Sequence, residues 1–157
     1  MKTILTNPDI LAAIIGGIFA CGIAYFTYIK NKREEIKFAA SMLLSDLMSI
    51  ERYITQEGKV TYDELADIRY SDKWQDVVGK CSFLSRNEVD VIYSLYDAIY
   101  DYNYEFSIIN DKVKSKPGYK KKIRKVRCKI PAYNEVKRIQ NSRNYRRLIE
   151  KLECKVL

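Results

Sequence analysis

The chain has 157 residues, 47% of them hydrophobic, with only six Gly and three Pro. That composition excludes wholesale disorder, argues against a turn-rich β-sandwich and leaves one compact helical domain plus an added segment. Histidine is absent, which removes the usual general base near neutral pH and the commonest metal ligand. The net charge of +8 is unevenly held: residues 1–111 carry 11 Lys/Arg against 17 Asp/Glu, and residues 112–157 carry 17 against 3. The later part therefore calls for an anionic partner, whether lipid, nucleic acid or the acidic half of the same chain.

No residue from Ile10 to Ile29 is charged, and as a helix such a run spans about 30 Å, the thickness of a bilayer's hydrocarbon core. Asn7-Pro8-Asp9 before it suits an N-cap, a first helical position and an acid at the positive helix end. Tyr25 and Tyr28 fall where interfacial aromatics belong, followed by Lys30, Lys32, Arg33 and Lys37, whereas Lys2 is the only base in front. The positive-inside rule then puts the N-terminus outside and the C-terminal domain in the cytoplasm. A cleaved signal would carry its basic residues before the apolar run. A lipoprotein site at Ile18-Phe19-Ala20-Cys21 is disfavoured by the bulky Phe19 and by the apolar stretch after the cysteine. An uncleaved single-pass anchor is the expectation. Within it Ala12, Gly16, Ala20 and Ala24 recur every four residues, and Ala13, Gly17 and Cys21 form a second row. Steps of four keep to one helix face, so these residues predict a smooth packing surface for another helix.

The helix is expected to run on to about residue 57, with Gly58 as its stop. Its second half carries the seam Ile36, Ala40, Leu43, Leu47, Ile50 and Ile54, a coiled-coil-like 4-3 spacing. Thr61 to Glu64 has capping-box form and predicts a brief helix to about Tyr70. Ser71-Asp72-Lys73-Trp74 predicts the cap of another, ending near Gly79, with Trp74 as a packing anchor. Ser85 and Glu88 form a second capping box, with Leu84 and Val89 as a hydrophobic staple. They open a long helix with the seam Ile92, Leu95, Ile99, Tyr102, Phe106, Ile109 and Val113. Pro117-Gly118 would end it, and it is expected to pack antiparallel on the stalk. A last helix is expected from about Ala132 to Lys155, with Val136, Ile139, Tyr145, Leu148, Leu152 and Val156 inward and Pro131 in its first turn.

The fold class is therefore all-α: a single transmembrane anchor over residues 1–30 continuing into a cytoplasmic stalk, in a small antiparallel helical bundle over 31–114. A basic connector (115–131) and a C-terminal basic amphipathic helix (132–157) complete it.

Few constellations suggest chemistry. Cys21, Cys81, Cys128 and Cys154 are far apart and form no CxxC pair, so without His they read as reduced, mostly buried thiols rather than a zinc site. Asp90, Asp97, Asp101 and Glu105 share a helix side with Tyr93, Tyr96, Tyr100 and Tyr104, which reads as a solvated face or one neutralised by the basic tail. Phosphate loops, nucleophile elbows and dinucleotide fingerprints are missing; no cofactor, metal or small-molecule substrate is called for, and a non-catalytic protein is expected. Residues 112–129 hold ten Lys/Arg and no acid. Of these Lys120, Lys121, Lys122, Arg124, Lys125, Arg127 and Lys129 are the candidates for an anionic partner, first of all the inner leaflet. With Tyr119 the one aromatic among them, base stacking has thin support and nucleic acid is disfavoured. The expected function is an accessory or scaffold subunit that assembles with itself or another membrane protein. The alternatives are a bilayer-perturbing multimer and a membrane-tethered nucleic-acid binder.

Overall fold

The computed structural model describes residues 8–55, 67–113 and 129–157. Among them are five helices and no strand: α1 (Pro8–Thr55), α2 (Trp74–Lys80), α3 (Arg86–Val113), α4 (Pro131–Gln140) and α5 (Arg143–Val156). The chain divides into two units, residues 1–37 and 38–157.

The described part of the first unit is helix throughout, with Asp9 in its first turn. Every side chain from Pro8 to Tyr28 is exposed. It is the one helix among the described residues long and apolar enough to cross a membrane. The expected cap Asn7 lies outside the described residues.

The second unit is built around one core shared by the later half of α1, the 67–73 segment and α2 to α5. Of the stalk seam, Ala40, Leu43, Leu47, Ile50 and Ile54 are buried in this core, whereas Ile36 belongs to the first unit and is half-exposed. Burying Leu43, Leu47, Ile50 and Ile54 at roughly 2 kcal/mol each outweighs any difference in helix propensity along the segment. In the seam of α3, Ile92, Leu95, Ile99, Tyr102 and Phe106 are buried and Ile109 packs against them; the side chain of Val113 lies outside those described. Helix α4 lies antiparallel on α3. Tyr133 near its start is 5.6 Å from Tyr102, while Ile139 near its end shares a groove with Val91 and Ser94.

The capping box at α3 forms as its spacing requires. The Ser85 backbone N–H donates to Glu88 Oε2 at 2.6 Å, the Ser85 hydroxyl donates to the same oxygen at 2.8 Å, and the Glu88 N–H donates to Ser85 Oγ at 3.4 Å. Trp74 anchors packing as expected, stacked on Tyr96 at 4.2 Å with an edge contact to Tyr93 at 4.8 Å.

Two expectations need correction. Residues 67–71 are not the end of a helix, because other helices' side chains take their backbone groups. The Ile68 N–H donates to Asn103 Oδ1 at 2.8 Å and Asn103 Nδ2 donates to the Ile68 carbonyl at 2.9 Å. The Ser71 N–H donates to Asp46 Oδ2 at 3.2 Å. The capping-box residues Thr61 and Glu64, and the stop Gly58, lie outside the described residues. The last helix is likewise not continuous but is broken at Asn141-Ser142. Asn141 Nδ2 donates to the Lys137 carbonyl at 2.9 Å, and Ser142 Oγ accepts from the Tyr145 N–H at 3.2 Å as N-cap of α5. The break lets Tyr133, Val136 and Ile139 on α4, and Tyr145, Leu148 and Leu152 on α5, all reach the core.

Candidate functional site

The small-residue row lies on a regular stretch of α1 with Ala12, Gly16, Gly17, Ala20 and Ala24 all exposed. A Cβ added at Gly16 or Gly17 would meet nothing within 4 Å. Neither intramolecular packing nor backbone conformation therefore requires glycine there.

Of the basic candidates, Lys120, Lys121, Lys122, Arg124, Lys125 and Arg127 lie outside the described residues, as do Pro117 and Gly118. Lys129 is exposed, one residue ahead of Ile130, the N-cap of α4. Lys129 is thus the one member of the cluster among the described residues.

The tyrosine–acid side of α3 divides by helical phase. Asp90, Asp97 and Asp101 are exposed, as are Tyr93, Tyr100 and Tyr104. Tyr96 turns inward, and its hydroxyl donates to Asp46 Oδ2 at 2.5 Å. Burial, reinforced by that hydrogen bond and the Asp46 charge, pushes the Tyr96 phenol far above its ordinary value. It is a fixed donor, never a base. The Tyr145 hydroxyl donates to the Leu47 carbonyl at 3.4 Å and is raised by burial and the Glu51 charge. Among the described residues no group of three or more Cys, Asp or Glu is arranged to hold a metal ion.

The expectation of mostly buried cysteines needs correction. Cys21 and Cys154 are exposed and Cys81 is buried, while Cys128 lies outside the described residues. Burial pushes the Cys81 thiol up to about 11, so it is an inert part of the core. The strongly shifted groups, Tyr96, Tyr145 and Cys81, all move away from neutral pH, opposite to the tuning a general acid or base needs.

Sequence reasoning missed three polar pairs: Asp46 with Tyr96, Asn103 with Ile68, and Lys151 with Glu88. The last joins α5 to the start of α3 at 2.7 Å. Burial works against the ionised Glu88, but hydrogen bonds from Lys151 and Ser85 and the ammonium charge hold its carboxyl below the ordinary range. The available signal was a polar residue at the margin of an apolar seam, as Asp46 is beside Leu43 and Leu47. A shallow groove of about 350 Å³ lies between α3 and the α4–α5 junction, with Asn87, Asp90, Arg138 and Asn144 in its rim. Arg138 is already engaged by Glu135 through two hydrogen bonds. Comparison with protein-family models, curated proteins and solved structures finds no match to this chain.

Proposed function

We propose that this protein is a membrane-anchored, non-catalytic helical module, an accessory or scaffold subunit whose cytoplasmic bundle is held at the bilayer by α1. The observation that carries this reading is the uncovered apolar run of α1, with Ile18, Phe19 and Phe26 exposed at 67%, 68% and 73%. Six such residues (Ile14, Ile15, Ile18, Phe19, Ile23 and Phe26) left in water forgo roughly 2 kcal/mol each. The sum is on the order of the whole stability of a domain. Lipid removes that penalty with no other element of the chain. Lys30, Lys32, Arg33 and Lys37 just beyond the run favour an N-terminus outside and a bundle inside the cell.

The row Ala12, Gly16, Ala20 and Ala24, with Gly17 beside it, is the face through which α1 packs on a second copy or another membrane protein. The basic cluster from Lys120 to Lys129 is the part that meets anionic lipid, each charge near the surface contributing about 1 kcal/mol.

Alkaline extraction of membranes, protease protection and crosslinking of the full chain test the reading together. The expected result is an integral protein with a cytoplasmic C-terminal domain, whose assembly is lost in Gly16→Leu/Ala20→Leu while insertion is retained. Release by alkali would overturn the anchor. Unchanged crosslinking in the variant would overturn the packing face.

A further inference from the structure

Four of the large apolar side chains exposed on the helical unit are aligned on α3. Tyr93, Tyr100, Tyr104 and Ile108 are exposed at 40%, 64%, 63% and 39%. At about 100° per residue they share an arc of roughly 80° opposite the buried seam. Asp97 and Asp101, both exposed, are interleaved with them. Isolated exposed aromatics are ordinary, but three tyrosines and an isoleucine in register with acids between them form a patch of the kind that interfaces use.

A complementary surface exists on the same chain. Arg143, Arg146 and Arg147 are exposed on the outer side of α5, opposite Tyr145, Leu148 and Leu152. They occupy its first turns, where no acid is present and where the helix dipole opposes positive charge. A local rule broken on an exposed face is where function is to be sought. Arg143 and Arg147 are spaced four residues apart, as are Asp97 and Asp101, about 6 Å along either helix.

We propose that the Tyr93–Tyr100–Tyr104 face of α3, with Asp97 and Asp101, docks the Arg143–Arg146–Arg147 face of α5 from a second copy of this chain. Arg143 and Arg147 pair with the two carboxylates at matched pitch, and Arg146 lies over a tyrosine ring. The contact belongs to the helical unit and is separate from the small-residue face of α1. Charge complementarity sets its partner choice and makes it salt-sensitive.

The test is sedimentation equilibrium of the full chain in zwitterionic detergent, in the Gly16→Leu/Ala20→Leu background and in the unaltered chain. Loss of the α1 contact is thereby separated from loss of this one. The expected result is self-association that weakens at least tenfold between 50 and 500 mM salt and at least tenfold in either Asp97→Lys/Asp101→Lys or Arg143→Glu/Arg147→Glu. Mixing the two variants should restore 1:1 pairing, because each keeps the face that the other has lost. All four positions are exposed, and unchanged Trp74 fluorescence confirms folding. Two results overturn the proposal: no recovery on mixing, or association that survives the arginine reversal while the aspartate reversal abolishes it. The second would mean that another basic segment occupies α3.

Discussion

The hydrogen bond between Tyr96 and Asp46 joins α3 to α1, and its worth can be calculated before it is measured. Tyr96→Phe removes the 2.5 Å donor but keeps the ring that stacks on Trp74 at 4.2 Å and meets Tyr70 edge-on at 5.3 Å. A hydrogen bond to a charged acceptor contributes about 1.5–3 kcal/mol. Asp46 is only half-buried and still accepts from the Ser71 N–H, so the lower end applies, about 1.5 kcal/mol. Asp46→Ala is the harsher change. It strands the phenol of a residue only 2% exposed together with the Ser71 N–H, for about 2–3 kcal/mol. The double mutant should then be less destabilised than the sum, by a coupling of about 1–1.5 kcal/mol. The assay is urea unfolding of the full chain in micelles at pH 7, read from Trp74, the only tryptophan. Tyr96→Phe should also lower the melting temperature by about 6 °C for a unit of this size. A coupling below about 0.5 kcal/mol, the ordinary error of additivity, would refute the idea that this bond holds α1 to α3.

Lys151→Met should cost about 0.5–1 kcal/mol at pH 7, since the pair with Glu88 is partly solvent-screened. Glu88 is held below its ordinary value of 4.5, so its contribution is present above that pH and is lost as pH falls through the depressed folded value. The wild-type and Lys151→Met stability curves, measured by urea unfolding, should therefore converge in acid and separate above about pH 5. In a Cys21→Ser/Cys128→Ser background, Cys154 should react with a thiol reagent at pH 8 within minutes. Cys81, raised by burial to about 11, should react only at the rate of unfolding; two fast thiols would contradict its placement. Ser142→Ala, which removes the acceptor of the Tyr145 N–H, should cost about 1 kcal/mol in the same unfolding assay, and Ser142→Gly only a few tenths.

Much of the fold was legible because apolar spacing on long helices leaves little choice. The seams at Leu43–Leu47–Ile50 and Ile92–Leu95–Ile99 are buried as their phases require, and the Ser85–Glu88 box marks the start of α3. What was not legible depends on tertiary polar contacts. Nothing local tells Ile68 that Asn103, 35 residues away, will satisfy its N–H and carbonyl, so helix-forming local sequence lost to a long-range amide. The break before α5 did have a local signal in Asn141-Ser142, a pair that competes for backbone hydrogen bonds and favours caps. It was outweighed by a periodicity that seemed to run through it. Of the candidate surfaces, the small-residue row lies exposed on a regular helix. A run of charges such as Lys120 to Arg127 carries no periodicity from which a shape could be read.

The chain's 13 tyrosines show why composition alone points nowhere and phase does. Tyr96, Tyr102, Tyr133 and Tyr145 rank among the largest fully buried side chains. They do work that Leu or Phe could do, except where Tyr96 and Tyr145 use a hydroxyl to tie a neighbouring helix. Tyr93, Tyr100 and Tyr104 differ from Tyr96 and Tyr102 only by their angle from the α3 seam, yet they stand in solvent. The core would be complete without Tyr100 and Tyr104, while Tyr93 meets Trp74 only with its edge contact. The same holds for Gly16 and Gly17, which no neighbour among the described residues requires to be small, and for three arginines at a helix end that disfavours them. Residues that the fold does not need, set in register on helices that the fold makes rigid, are best accounted for by what binds them. Among the described residues they all lie on outer helix faces. An outer-face position is what the proposed docking of other helices requires.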